Sequence, residues 1–102
     1  DVQLLKRGVR NLIQNSICHN PNGCRITVTC RQEEEDILIS VADTGKGIPL
    51  PVREAILEEK EPPKGIHIMG LRIVQQIVKS HKGRLSISKD GREVEIFLPK
   101  KN

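Results

Sequence analysis

The spacing of the apolar residues changes twice from helical to alternating, and this order is what most constrains the fold of the chain. Residues that recur every three or four positions predict a first helix running to about Ile17, with Asp1 as its N-cap. These apolar positions are Leu5, Val9, Leu12, Ile13 and Ile17. Turn-forming residues at 20–23 end the helix. Alternation over residues 24–32 and an apolar run at 36–42 then predict two strands joined as a hairpin.

The same order returns after a long irregular segment. Residues 43–69 carry prolines, glycines and charges. Within them, residues 49–69 are predicted to form a mobile lid that is poor in apolar anchors, with a short helix at 52–60. A second helical stripe runs from Gly70 to about His81. Alternation at 85–87 and 94–98, around a predicted two-residue turn at Asp90-Gly91, indicates a second hairpin.

Four strands and two long helices predict the fold class. We expect an α/β fold: a two-layer α/β sandwich in which a mixed or antiparallel sheet carries its helices on one face. The 102 residues match the usual size of one domain, so residues 1–102 are expected to form a single domain.

The composition excludes some classes of function. The chain has one Phe, no Trp and no Tyr, which argues against modules that stack nucleobases on aromatic side chains. Its net charge of +4 is spread along the sequence and interrupted by acidic runs, so no nucleic-acid partner is expected. No apolar run is long enough to span a bilayer.

The three cysteines do not form a metal or disulfide pattern. Cys18, Cys24 and Cys30 include no Cys-x-x-Cys pair. Cys24 and Cys30 share strand parity with Ile26 and Val28, which predicts that they are small buried residues. Reduced thiols suit a cytoplasmic location, either as such or as the cytosolic part of a membrane-bound sensor.

Three short segments carry residues suited to binding chemistry. Asn11 and Asn15 lie one helical turn apart and can offer carbonyl oxygens to a hard cation. Residues 43–48 place Asp43 directly after an apolar strand, where its carboxylate can accept hydrogen bonds from an amino group. Residues 65–71 open the second long helix, whose N-terminus can offer N–H groups to phosphate. Each segment alone is more often a solvated helix face, a tight turn or a helix junction.

Together, in this order and on these elements, the three segments resemble the N, G1 and G2 boxes of the GHKL ATP-binding superfamily. The most similar branch is the catalytic ATP-binding domain of bacterial sensor histidine kinases. The stretch at 11–15 looks like the N box, and residues 71–83 look like the helix after the second glycine box. The resemblance covers nearly the whole chain and implies the Bergerat fold, which agrees with the order of elements above.

The resemblance implies roles for individual residues. Asn15 matches the asparagine that coordinates Mg²⁺, and Asn11 matches the polar position one turn earlier; both are predicted to be catalytic. Asp43 matches the aspartate that binds the exocyclic amino group of adenine. His19 lies where many relatives place a ring against the base. The remaining predicted nucleotide-binding residues belong to the two glycine boxes: Gly45, Gly47, Ile48, Gly65, Gly70 and Leu71.

The function implied is transfer of the γ-phosphate of Mg-ATP to a histidine on a separate dimerisation domain of the same or a partner chain, with a response regulator downstream. Two alternatives stay open. A Ser/Thr kinase of the anti-sigma-factor type shares the same boxes. A degenerate nucleotide-binding or docking module is suggested by Cys18, by Ile68 and by the short lid.

Overall fold

The helices and strands follow the predicted order. The computed structural model describes residues 2–62, 64 and 68–100. The predicted cap Asp1 and the predicted ligand Gly65 lie outside this part of the chain. Within it the elements are α1 (Val2–His19), β1 (Ile26–Gln32), β2 (Asp36–Asp43), α2 (Leu50–Leu57), α3 (Met69–Ser80), β3 (Arg84–Ile87) and β4 (Glu93–Pro99).

The four strands form one antiparallel sheet in the order β1-β2-β4-β3. In its centre, β2 pairs with β4 so that Val41 lies opposite Val94 and Ile39 lies opposite Ile96. Residues that lie opposite one another point to the same side of a sheet. Val41, Val94 and Ile96 share one core with residues of the helices, so the helices cover that side. The predicted α/β sandwich with an antiparallel sheet is confirmed.

Aliphatic side chains make up the core, as the scarcity of aromatic residues requires. Val74 and Val78 of α3, Ile96 of β4 and Ile56 of α2 are fully buried. Each such side chain contributes roughly 1.5–3 kcal/mol on leaving water. Leu12 of α1 belongs to the same core, which fixes the two long helices on the sheet.

The prediction that Cys24 and Cys30 are buried is wrong. Cys30 is exposed, Cys24 is only half-buried, and Val28 between them is 47% exposed. The physical reason is the place of β1 in the sheet. It is an edge strand that pairs with β2 alone, and none of the fully buried core residues of the described chain lies on it. Strand parity identifies a shared face but cannot show whether a helix covers it.

The turn between β3 and β4 differs from the predicted two-residue turn. The N–H of Gly91 donates to the carbonyl of Ser88 at 2.9 Å, so Lys89 and Asp90 are the central residues. Gly91 follows with a φ of 72°, a left-handed conformation that favours glycine. Asp90 Oδ1 accepts hydrogen bonds from Ser88 Oγ at 2.7 Å and from the N–H of Arg92 at 3.0 Å. These side-chain bonds stabilise the longer turn.

Helix α2 is shorter than predicted and better anchored. It covers Leu50–Leu57 rather than 52–60, and Pro51 occupies its first turn, where a missing N–H has no cost. Val52, Ala55 and Ile56 are all buried. The expectation that residues 49–69 are poor in apolar anchors is therefore wrong for α2. A mobile lid stays a prediction for the residues beyond it.

Candidate nucleotide-binding site

A cavity of about 450 Å³ opens between α1, the start of α3 and the ends of β2 and β4. This volume lies within the range of small-molecule sites. It brings together residues from all three predicted segments. The predicted residues that line it are Asn15, His19, Asp43, Gly47, Ile48, Gly70 and Leu71.

The carboxylate of Asp43 is held in a fixed orientation at one end of the cavity. It ends β2, and its backbone N–H donates to the carbonyl of Arg92 at 2.8 Å. Its Oδ1 accepts a hydrogen bond from the N–H of Gly45 at 2.8 Å, and its Oδ2 accepts one from Ser16 Oγ at 2.7 Å. A carboxylate has about four lone-pair positions, so these bonds orient the group and still leave acceptor capacity for a ligand amino group.

Asn15 and Gly70 lie next to each other in the wall of the cavity. A Cβ placed on Gly70 would lie 3.5 Å from Oδ1 of Asn15, so the first turn of α3 passes close to this amide. Ile68, the N-cap of α3, makes no side-chain capping hydrogen bond. The first backbone N–H groups of a helix attract anions, and here they begin beside an amide that lines the same cavity.

The donor set near Asn15 suits a cation shared with a ligand. Within the described residues, no group of three His, Cys, Asp or Glu side chains forms a metal site of its own. Mg²⁺ is commonly held by few protein oxygens together with phosphate and water. An amide oxygen such as that of Asn15 fits this role only when a phosphate is also bound.

The two glycines of the G1 segment serve different purposes. Gly47 lines the cavity with a φ of 81°, and a Cβ on it would meet the carbonyl oxygen of Asp90 at 2.1 Å. Gly45 is not among the cavity-lining residues; a Cβ there would meet the Asn20 amide at 2.1 Å. Its contribution is the N–H that holds Asp43 and the close approach of Asn20.

Asn11 does not line the cavity. It is half-buried on α1, one turn before Asn15. Its predicted catalytic role has no contact with the cavity to support it.

Sequence reasoning missed several residues that shape the site. Ser16 is next to Asn15 and supplies the second donor to Asp43. Asn20 Nδ2 donates to the carbonyl of Ser16 at 2.8 Å, and its Oδ1 accepts from the N–H of Lys46 at 3.1 Å. Arg92 lines the cavity from the β3–β4 turn. Ser16 could have been found from the sequence, because it is a polar residue directly after the N box. The place of Arg92 in the cavity wall could not, because it depends on how the strands pair.

Fold and cavity together define a nucleotide-binding domain of the GHKL type. The chain belongs to the family described as "Histidine kinase-, DNA gyrase B-, and HSP90-like ATPase", whose profile matches residues 1–102. The predicted resemblance to catalytic domains of sensor histidine kinases is confirmed.

Sequence relatives point to the same branch. The chain is 36% identical over 97 residues to the sensor protein IrlS of Burkholderia pseudomallei, covering 88% of this chain and 21% of the relative. It is 29% identical over 98 residues to the alginate biosynthesis sensor protein KinB of Pseudomonas aeruginosa, covering 92% of this chain and 16% of the relative. The chain thus spans about a fifth of the length of these curated relatives.

Solved structures agree in fold. A mycobacterial sensor histidine kinase, MprB, matches with a TM-score of 0.74 and 28% identity over 97% of this chain and 72% of the other. The catalytic domain of histidine kinase ThkA, in a nucleotide-free form, matches with a TM-score of 0.78 and 25% identity over 98% of this chain and 68% of the other.

Across residues 2–62, 64 and 68–100, no helix combines the length and apolarity needed to cross a bilayer.

Proposed function

We propose that this chain is the ATP-binding catalytic part of a sensor histidine kinase and that it binds Mg-ATP in the cavity between α1 and α3. The observation that carries the proposal is the convergence of Asp43, Asn15 and Gly70 on one cavity. These residues come from three separate segments of the sequence, and each suits a different part of a nucleotide.

Asp43 is assigned to the base. Its carboxylate is oriented by Ser16 and Gly45 and accepts a hydrogen bond from the exocyclic amino group of adenine. His19, Gly47, Ile48 and Leu71 line the cavity around it and contact the base or the ribose.

The phosphates are assigned to the opposite end. Gly70 leaves room beside Asn15, and the N-terminus of α3 contributes backbone N–H groups and a favourable dipole. Asn15 is assigned to Mg²⁺, which when bound neutralises phosphate charge. The amide of Asn15 thereby holds the phosphates of the nucleotide at a fixed position relative to α1.

The protein partners of the chain follow from the Mg-ATP that we assign to the cavity. Phosphoryl transfer requires a nucleophile aligned with the γ-phosphate, and we assign this to a histidine on a dimerisation and phosphoacceptor domain of the same or a partner chain. A response regulator then receives the phosphoryl group. These assignments place the chain in the cytoplasm, alone or as the cytosolic part of a membrane-bound sensor.

Calorimetric titration of the chain with ATP and ADP, with Mg²⁺ present, tests the proposal. We expect Asp43→Ala to weaken both nucleotides by about 1–3 kcal/mol, roughly 5- to 150-fold, because the base loses an oriented, partly buried acceptor. The matched control is Asp36→Ala, at the opposite end of the same strand. A wild-type chain that gives neither heat nor thermal shift at millimolar nucleotide would instead support the degenerate docking module.

A further inference from the structure

The side chain of Arg53 joins two loops that lie side by side in the cavity wall. Its Nε donates to the carbonyl of Ile48 at 3.0 Å. Its Nη1 donates to the carbonyl of Lys89 and, at 3.4 Å, to that of Ser88. Three backbone carbonyls from the segment after β2 and from the β3–β4 turn therefore share one guanidinium group.

Both loops reach the cavity only a few residues from these contacts. The segment after β2 contributes Gly47, Ile48 and Pro49 to the lining, and the β3–β4 turn contributes Gly91 and Arg92. The position of this part of the wall thus depends on backbone that Arg53 holds. Arg53 itself does not line the cavity, so any effect on a ligand is indirect.

The two loops are packed so closely that small displacements matter. The N–H of Ile48 donates to the carbonyl of Gly91 at 2.8 Å. A Cβ on Gly91 would lie 2.5 Å from the nitrogen of Ile48. No side chain separates the two backbones, and Arg53 clamps them at one side.

Helix α2 gives Arg53 a rigid base. Val52 and Ile56, on the same helix, are buried in the core. The C-terminal part of α2 is tied to α3, because Gln75 Nε2 donates to the carbonyl of Ile56 at 2.6 Å. The guanidinium therefore holds the loops against the core.

Resting on the proposed nucleotide site, we propose that Arg53 is a positioning residue that holds these two loops together as one wall at the base-binding end of the cavity. An arginine suits this role because its planar fork carries five N–H donors and stays charged, whereas a lysine offers one compact donor group. Loss of Arg53 loosens the contact between the two loops, which weakens contacts to the base and leaves the phosphate end on α1 and α3 in place.

The test compares Arg53→Gln, Arg53→Lys and the control Arg72→Gln in binding of adenosine, ADP and Mg-ATP. Arg72 is a suitable control because it too donates to a backbone carbonyl near α2 but lies outside the cavity. We expect Arg53→Gln to weaken all three ligands by the same factor, about tenfold, because they share the base. Arg53→Lys should restore part of the affinity, and Arg72→Gln should leave adenosine binding unchanged.

Amide hydrogen exchange distinguishes a local loosening of the two loops from a general loss of stability, because it reports on each amide separately. In Arg53→Gln, exchange should accelerate at Ile48 and Asp43, whose N–H groups bond across to the β3–β4 turn, and should stay unchanged at α3 core amides. Faster exchange at all of these sites alike would overturn the proposal and indicate a structural role. If Arg53→Gln does not fold, the affinities of Arg53→Lys and wild type for adenosine and ADP are compared instead. Weaker binding by Arg53→Lys supports the proposal, and equal binding overturns it.

The two proposals fail in different ways. A wild-type chain that binds no nucleotide overturns the proposed function and this inference with it. A wild-type chain that binds ADP, together with Arg53→Gln and Arg53→Lys variants that bind adenosine and ADP equally well, overturns the role of Arg53 alone.

Discussion

The hydroxyl of Ser16 donates a 2.7 Å hydrogen bond to Oδ2 of Asp43, so two residues 27 positions apart form one polar unit in the wall of the cavity. A serine hydroxyl has one proton, and here it is directed at the carboxylate. The oxygen of Ser16 and the remaining lone pairs of Asp43 are therefore acceptors. Such a pair matches the amino group of adenine and repels the carbonyl that guanine has at the same position.

Replacement of Ser16 by alanine should narrow the preference for ATP over GTP. We expect Ser16→Ala to weaken ATP binding by about 0.5–1.5 kcal/mol, since one hydrogen bond to the oriented carboxylate is lost, and to change GTP binding little. Competition between the two nucleotides on one sample measures the ratio. Ser86→Ala, on β3 and outside the cavity lining, serves as the control. An unchanged ratio would show that Ser16 plays no part in base selection.

Replacement of Asn15 should weaken binding in a manner that depends on magnesium. Its amide lies beside Gly70, and under the proposed function it binds the cation at the phosphate end, so Asn15→Ala removes a cation ligand. Titrations with ATP in Mg²⁺ and in EDTA should show a larger loss with the metal present. Asn22→Ala, in the exposed turn after α1, provides the matched control. An equal loss in both buffers would assign Asn15 to the nucleotide itself.

The helices and strands that depend only on the local order of residues could be predicted from the sequence. The helical stripe from Leu5 to Ile17 gave α1, and the alternation at 94–98 gave β4, because each pattern depends only on neighbouring residues. Asp43 and Asn15 were found by their place in recognisable boxes. Ser16, Arg53 and Arg92 act through contacts across 27 or more positions or through strand pairing, which periodicity does not encode.

The exposure of Cys30 shows a second limit. Alternation along β1 places Cys30 on the same face as Ile26 and Val28, but the burial of that face depends on which strand occupies the edge of the sheet. That order arises from β2 pairing with β4, a long-range choice. The turn at Asp90 shows the same effect on a smaller scale, since side-chain bonds from Ser88 selected a longer turn than the dipeptide Asp90-Gly91 indicated.

Acid should loosen the β3–β4 turn. The hydrogen bond from Ser88, followed by that from the N–H of Arg92, lowers the pKa of Asp90 from its ordinary 3.8. A lowered folded-state pKa means that the ionised group stabilises the native state above the ordinary pKa, and that this stabilisation is lost as the pH falls through the lower value. Asp90→Asn should therefore be less stable than wild type at neutral pH, and the difference should shrink as the pH falls below the ordinary pKa of Asp90. Urea unfolding across this range measures the difference, and a difference that stays constant down to the lowest pH would contradict the assignment.

Helix α2 should contribute to stability as a part of the hydrophobic core. The predicted lid is then restricted to the residues that follow this helix. Ile56 is fully buried and Leu57 beside it is 46% exposed, so the pair forms an internal comparison. We expect Ile56→Ala to lower the free energy of unfolding by about 2–5 kcal/mol and Leu57→Ala to lower it far less. Amide exchange should find α2 protected with or without ATP, and nucleotide-dependent protection beyond residue 57. Strong, equal protection of residues 58–68 in both states would exclude a lid.

The chain alone should hydrolyse ATP very slowly. Hydrolysis needs a group that positions and deprotonates water, commonly a carboxylate or a histidine within hydrogen-bonding reach. Among the described residues, Asp43 is the carboxylate and His19 the histidine that line the cavity, and the proposed function assigns both to the base or the ribose, away from the phosphates. Ser16 and Gly45 also engage the carboxylate of Asp43. Glutamates 33–35 lie at the opposite end of β2, about 23 Å away for a strand of this length.

Asn11 cannot replace the missing base, because a carboxamide does not accept a proton at neutral pH. Under the proposed function the nucleophile is an imidazole from the phosphoacceptor domain, so transfer should begin when a matching acceptor is supplied. Phosphate release from the purified chain, measured with and without an acceptor domain, checks both statements. Rapid ATP hydrolysis by the chain alone, abolished in Asn11→Ala, would instead make Asn11 part of the reaction centre and move the chain to a hydrolytic branch of the superfamily.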